Sequence, residues 1–208
     1  KNNQNYFKEK YGRDTIFIPN GVSPAIIHTP EIIKEKWSLE KDNYILFLAR
    51  IVPEKGVHYL INAWKEVKKK IKTEKKLVIA GGSSHSQDYF NQIKQLINND
   101  SSIIMTDFVC GQALQELYSN AYLYVLPSDI EGMPMSLLEA LSYGNQCLVS
   151  NIPENTEVIT KDCYTFEKSN VNDLANKLIE ILNLNVNTHQ KFMQVYSWDD
   201  VVNRTLDL

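Results

Sequence analysis

Short apolar runs and helix-length amphipathic segments take turns along most of this chain, and a polypeptide patterned so has few ways to bury its apolar surface. The runs Thr15–Ile18, Tyr44–Ala49, Leu77–Ala80, Ile103–Thr106, Leu123–Leu126, Cys147–Val149 and Tyr164–Phe166 read as strands. Helical patterns fall between them over Gly56–Lys72, Gln87–Asn98, Gly111–Asn120 and Pro134–Tyr143. Asp173–Leu184 and a tail from Thr188 onward close the chain as helices. Strand and helix in alternation predict an α/β fold, a doubly wound and mostly parallel sheet with helices on both faces. At 208 residues and 43% hydrophobic content there is enough chain for one such domain with a sizeable core. The turn-rich stretch Pro19-Asn20-Gly21-Val22-Ser23-Pro24 marks a bend and a candidate hinge.

Sheets of this kind present ligand-binding groups at the carboxyl ends of their strands. Two strand exits stand out. After Tyr122–Leu126 the chain runs through Pro127-Ser128 into Asp129-Ile130-Glu131-Gly132-Met133-Pro134-Met135-Ser136-Leu137-Leu138-Glu139-Ala140. Pro134 suits the first position of a helix, backed by the apolar stripe Leu137, Leu138 and Leu141, and Gly144 offers its stop. Glu131 then lies ahead of a helix mouth that favours an anion such as a diphosphate, and Glu139 sits more than a turn inside. Spacing alone decides nothing, because Glu66 and Glu74 repeat the same separation in an ordinary Lys-rich helix. Two readings therefore stay open: an acidic clasp for a ligand, or a helix-start carboxylate followed by a solvated Glu.

After the Tyr44–Ala49 run, Arg50 and Lys55 flank one strand-to-helix loop, Arg50-Ile51-Val52-Pro53-Glu54-Lys55-Gly56. A planar guanidinium and a compact ammonium together could neutralise the two phosphates of a departing nucleoside diphosphate, which is electrostatic catalysis without covalent chemistry. The alternative is that Arg50 pairs with Glu54 while Lys55 solvates a helix start.

Other features narrow the function by exclusion. A net charge of -3 and a pI of about 5.8 argue against a general nucleic-acid binder. No secretory signal opens the chain, and no apolar run approaches the ~20 residues that span a bilayer, so a soluble, intracellular protein is expected. Cys110, Cys147 and Cys163 lack a Cys-x-x-Cys pair and read as free buried thiols without a disulfide. His28, His58, His85 and His189 are scattered and read as structural or exposed, with no metal-ligand spacing. Gly81-Gly82-Ser83-Ser84 lacks the Gly-x-Gly-x-x-Gly spacing of a nicotinamide site. Lys65, Lys68, Lys69, Lys70, Lys72, Lys75 and Lys76 form a basic helix end, read as a solvated face or as an attraction to anionic lipid. The chain opens at Lys1 without an initiator Met, in a polar stretch that reads as the middle of a longer protein.

Taken in order, Arg50 with Lys55-Gly56, Gly81-Gly82, Phe108 with Gly111, Pro127-Ser128 and Glu131-Gly132-Met133-Pro134 with Leu138-Glu139-Ala140 form an ensemble. It resembles the carboxyl-terminal domain of family 4 glycosyltransferases, retaining enzymes of the two-domain GT-B fold, from about Asn20 to Leu208. Asn20-Gly21-Val22 matches that family's hinge segment, and Ser197-Trp198-Asp199 resembles the start of its closing helix. The resemblance implies a Rossmann-like donor-binding domain over 23–186, an interdomain segment over 1–22, and helices over 187–208 that return toward an absent amino-terminal domain. It implies that Arg50 and Lys55 bind the donor diphosphate, helped by backbone amides around Gly132, Met133 and Met135, with Pro134 also among the donor-binding residues. Glu131 would contact donor-sugar hydroxyls near the anomeric carbon, and Glu139 would grip the ribose. The loop at Phe108 and Val109 would border the base.

The catalytic set implied is Glu131, Lys55 and Arg50, with no metal or other cofactor, the cationic side chains taking the metal's role. The function implied is transfer of a hexosyl group, with retention, from a nucleoside-diphosphate sugar to a glycan or lipid-linked acceptor. Bacterial polysaccharide assembly in the cytoplasm, with peripheral attachment to the inner membrane face, is the matching setting. The rivals are an epimerase or hydrolase of the same fold, and a non-catalytic nucleotide-sugar-binding subunit. Two segments depart from the family pattern: Asn145-Gln146-Cys147 stands where a small residue and Pro are common, and Pro153-Glu154-Asn155 replaces a Gly-Gly segment. Without its amino-terminal domain the chain is expected to bind donor but transfer poorly.

Overall fold

Period-two alternation within short Val-, Ile-, Leu- and Tyr-rich runs gives each strand two apolar faces, and such strands are stable only when helices cover both. The computed structural model describes residues 2–83, 87–184 and 197–207, with side chains from residue 4. Six strands form one all-parallel sheet: β1 Tyr44–Leu48, β2 Lys76–Ala80, β3 Ile103–Asp107, β4 Leu123–Leu126, β5 Cys147–Ser150 and β6 Tyr164–Phe166. Their order in space is β3-β2-β1-β4-β5-β6. The helices are α1 Asn2–Tyr11, α2 Ile32–Trp37, α3 Val57–Lys70, α4 Gln87–Ile97, α5 Gly111–Asn120, α6 Met135–Ser142, α7 Pro153–Thr156, α8 Val171–Asn183 and α9 Trp198–Leu206.

The two faces sort the core. Ile45 and Phe47 of β1, Leu77 and Ile79 of β2, and Leu123 and Val125 of β4 point into a layer closed by Leu60 and Trp64 of α3, Phe90 of α4, and Leu174 and Leu178 of α8. Their strand neighbours Tyr44, Leu46, Val78, Tyr124 and Leu126 point the other way, against Ile33 of α2, Leu117 and Tyr118 of α5, and Leu137 and Leu141 of α6. The doubly wound arrangement anticipated from the pattern is therefore present.

Three local expectations change. Thr15–Ile18 forms no strand: Ile16 and Phe17 are exposed, and β3 and β6 are the edges of the sheet among the described residues. An apolar run without a pairing partner cannot satisfy its backbone in a ladder. Pro134 is the residue before helix α6 rather than its first residue; with ψ at 80 it is outside the helical region, while its carbonyl accepts from Leu137 and Leu138. Helix α2 carries no clear sequence signal. Its first turn is capped from a distance by the buried Glu116 of α5, whose Oε2 accepts from the amides of Glu31 and Ile33 at 3.0 Å each.

The tail reaches back across the chain. Ser197 bridges to Val22, a Cβ on Gly21 would lie 2.7 Å from the Trp198 nitrogen, and a Ser197–Asp200 capping box starts α9. The rest of the tail from Thr188 to Tyr196 lies outside the described residues.

At the other contact that matters, Gly56 has φ of 67, and a Cβ there would sit 2.0 Å from the Pro127 carbonyl oxygen. The exits of β1 and β4 are pressed together at this point. Gly56→Ala combines left-handed strain with a backbone collision and should cost at least about 2 kcal/mol. Urea denaturation checks this as a lowered midpoint with an unchanged slope.

Candidate functional site

Strand order makes β1 and β4 neighbours although two strands separate them in sequence, and the crossovers leave them in opposite directions. Such a reversal opens a crevice beyond the carboxyl ends of the two strands. Arg50 to Gly56 leaves β1 there and Pro127 to Pro134 leaves β4 there, so both singled-out loops meet at one place. The Asp129 amide donates to the Glu54 carbonyl at 2.8 Å, a direct hydrogen bond between them.

A buried ion pair lies at the meeting point. Lys55 Nζ donates to both carboxylate oxygens of Glu131 at 2.6 and 2.7 Å, and Ser128 Oγ donates to Glu131 Oε1 at 2.7 Å. The Glu131 side chain is 3% exposed and that of Lys55 16%. An ammonium has three N–H groups, so the contacts with Glu131 leave one for a ligand. Lys55 is therefore not the solvated residue of the simpler reading, and no ion pair joins Arg50 to Glu54 among the described residues. Arg50 is exposed on the crevice wall, where it lines a cleft of about 160 Å³ with Leu48, Gly81, Gly82, Phe108 and Val109. Gly81 is required there: at φ of 151, a Cβ would lie 1.8 Å from the Ala49 carbonyl oxygen. Phe108 stands 77% exposed at the cleft edge.

Two tyrosines beneath helix α6 bond to it, and one of them holds Glu139. Tyr118 donates to Glu139 Oε2 at 2.9 Å, and Tyr124 donates to Ser136 Oγ at 2.8 Å. Burial, then the charges of Tyr124 and Glu139, push the Tyr118 phenol well above the usual tyrosine range, so it stays a donor. Glu139 Oε1 has no hydrogen bond among the described residues and is half-buried, not the fully solvated Glu of the bland alternative.

At the mouth of α6 no side chain caps the helix. Gly132 is exposed, with nothing within 4 Å of where a Cβ would lie. The Met135 amide donates to the Met133 carbonyl at 2.9 Å, so of the amides expected to face a ligand this one already has a partner here. Met133 Sδ in turn accepts from the Asn20 amide at 3.2 Å, tying the Asn20-Gly21-Val22 segment to the acidic loop. The tyrosine pair was not singled out in sequence, and Ser128 and Asp129, although quoted within the motif, were given no role there.

The remaining candidates separate from this site. Lys65, Lys75 and Lys76 donate to the carbonyls of Leu96, Asp42 and Ser101 in neighbouring segments, while Lys68 bonds the Thr73 carbonyl and Lys69 pairs with Glu66, so most of the basic run is engaged within the domain. His28 bonds Gln115 and His58 bonds Tyr89, whereas His85 and His189 lie outside the described residues. Among the described residues no group of three or more His, Cys, Asp or Glu is placed to hold a metal, and no helix is long and apolar enough to cross a membrane. Of the three cysteines expected to be buried, Cys110 is exposed and Cys163 half-buried; only Cys147 is enclosed. Cys110 directly precedes α5 on the loop that follows β3, at the surface rather than in the core.

Comparison with known proteins follows the same lines. Residues 29–195 match the family described as Glycosyl transferases group 1. An uncharacterized glycosyltransferase of Methanocaldococcus jannaschii is 27% identical over 179 residues, covering 81% of this chain and 45% of that protein. The UDP-Gal:alpha-D-GlcNAc-diphosphoundecaprenol alpha-1,3-galactosyltransferase of Escherichia coli is 28% identical over 176 residues, 79% of this chain and 44% of that one. The chain thus spans less than half the length of either relative. A glycosyltransferase crystal structure from Rickettsia africae superposes with a TM-score of 0.80 at 18% identity, covering 98% of this chain and 59% of that one, a likeness of fold.

Removing one partner of the buried pair leaves the other charge stranded. Lys55→Met should destabilise the domain by about 2–3 kcal/mol, below the ~3–5 of a wholly enclosed pair because Lys55 keeps some solvent contact. Adding Glu131→Leu should recover most of the loss. Chemical denaturation of both variants measures the difference, and equal losses would deny the coupling.

Proposed function

The chain belongs to the glycosyl transferases group 1 family, and from that premise we propose that it binds a nucleoside-diphosphate sugar in the β1–β4 crevice. Within a complete two-domain protein it would transfer the sugar, a hexosyl group, to a glycan or lipid-linked acceptor with retention of configuration. The observation that carries this reading is the Lys55–Glu131 pair, which joins the loop that begins at the exposed Arg50 to the loop ahead of an uncapped helix mouth. Cations on one wall and a positive helix end on the other suit a diphosphate, and no metal is needed to neutralise the leaving group.

Arg50 offers its fork to one phosphate, and Lys55 gives its remaining N–H to the other while Glu131 holds it in place. Glu131 has lone pairs left for donor-sugar hydroxyls near the anomeric carbon. Backbone groups of Gly132, Met133, Pro134 and Met135 line the helix mouth. Glu139, steadied by Tyr118, accepts from the ribose hydroxyls, and the base lies against Val109 and Phe108 in the cleft above Gly81 and Gly82. A relative whose name carries a UDP-linked sugar donor and a diphosphoundecaprenol-linked acceptor supports this substrate class.

Calorimetry of the chain against UDP-, GDP- and ADP-sugars tests donor binding directly, and one nucleotide should bind without added metal. Glu139→Ala should weaken nucleotide affinity about tenfold or more, equivalent to ~1.4 kcal/mol, and unchanged affinity would remove its role. In the full-length enzyme Lys55→Ala should lose about 3 kcal/mol of transition-state stabilisation, as for one electrostatic donor. A rate loss of tenfold or less would deny that role to Lys55, and release of free sugar without acceptor would make the protein a hydrolase instead.

A further inference from the structure

The segment Asn145-Gln146-Cys147, which departs from the family pattern, takes no part in the donor chemistry above. It leads into β5 beside the turn that precedes β6. The β5–β6 register begins with Leu148 opposite Tyr164, and Cys147 and Cys163 each stand one residue before that first pair. Gln146 Nε2 donates to the Asp162 carbonyl, clasping the turn to β5 one residue before the two cysteines. The Cys163 amide donates to the Thr160 carbonyl at 3.1 Å, and Thr160 Oγ1 lies 3.7 Å from Cys163 Sγ.

The two thiols neighbour each other, yet their surroundings differ: Cys147 Sγ donates to the Asn145 carbonyl at 3.4 Å, whereas Cys163 Sγ lies beside Thr160 Oγ1. Burial pushes the enclosed Cys147 thiol well up, so it keeps its proton. The Cys147 thiol alongside, with Thr160, outweighs desolvation at half-buried Cys163 and lowers that thiol to about 6, which favours the thiolate at neutral pH. One sulfur is thus a nucleophile within reach of solvent, and the other is a protonated neighbour behind it. Adjacent strands lie about 4.8 Å apart, inside the ~4.4–6.8 Å Cα range that a disulfide tolerates. Cys163 precedes β6 rather than lying in it, which leaves its side chain free to turn without breaking the ladder.

We propose that Cys147 and Cys163 form a dithiol modification site that accepts a peroxide and closes to an intramolecular disulfide between the start of β5 and the turn before β6. The Cys163 sulfur attacks a peroxide oxygen; the S–O bond forms, the O–O bond breaks, and the departing hydroxide takes a proton to become water. Cys147 sulfur then attacks the sulfenic sulfur; the S–S bond forms, the S–O bond breaks, and the hydroxyl leaves as water with the Cys147 proton. Two thiols lose two electrons and one peroxide becomes two waters. The site does not depend on the donor reading, so either can fail without the other.

The test uses the chain with Cys110→Ser, which removes the exposed thiol, treated with hydrogen peroxide. Thiol titration in denaturant should show both remaining thiols lost together and restored by dithiothreitol, and non-reducing peptide mass spectrometry should find Cys147 linked to Cys163. Adding Cys163→Ser should leave Cys147 unreacted. Adding Cys147→Ala instead should halt the reaction at a Cys163 sulfenic acid that dimedone captures, which keeps the test decisive if one variant folds poorly. Oxidation of Cys163 to sulfinic acid while Cys147 stays titratable would overturn the proposal, as would two thiols that both resist peroxide.

Discussion

A carboxylate that is 3% exposed cannot stay charged in a protein interior unless a partner and hydrogen bonds replace its water. Glu131 has both, in Lys55 and Ser128, and those two residues come from different strand exits. The ion pair is thus a fastening between the loops as well as a local contact. It works with the Asp129 to Glu54 hydrogen bond and the backbone approach at Gly56 and Pro127 to hold one wall of the crevice against the other. A cation fixed in this way needs little rearrangement when an anion arrives, which is the condition under which electrostatic stabilisation is strongest.

The second carboxylate depends on packing of another kind. Tyr118 and Tyr124 lie in the apolar layer under α6, yet each spends its hydroxyl on that helix, at Glu139 and Ser136. Tyr118 also stacks on Tyr143, with ring centroids 5.3 Å apart, which packs the shelf under Glu139 from a second side. An aromatic ring with one polar tip serves here as core filling and as an orienting group at once. The acidic loop is tied through Met133 Sδ to the Asn20 amide, so a shift of the Asn20-Gly21-Val22 segment would be felt in that loop.

Much of this was legible in the sequence. Six of the seven strand expectations stand, with ends within a residue, since a buried parallel strand has a dense apolar signature and turn residues at its borders. Helix α5 matches its expected bounds because Gly111 and the residues after Asn120 punctuate it clearly. Helix α2 was missed because its cap is Glu116, more than 80 residues further along the chain. Thr15–Ile18 misled for the opposite reason: a strand-like run means little without a neighbour to pair with. Pro134 was assigned one place too deep, as φ alone does not determine whether a proline begins a helix or precedes it.

From residue order alone came the layered sheet, the two loops that carry charge, and the types of group those loops bring. Periodicity and punctuation are local properties, and local properties survive in a linear text. Folding added the partners. That Lys55 grips Glu131 rather than solvent, that Tyr118 steadies Glu139, and that Cys147 faces Cys163 all follow from which strands lie side by side. Strand order is set by the joint burial of both sheet faces, a cooperative property of the whole chain that no single segment encodes.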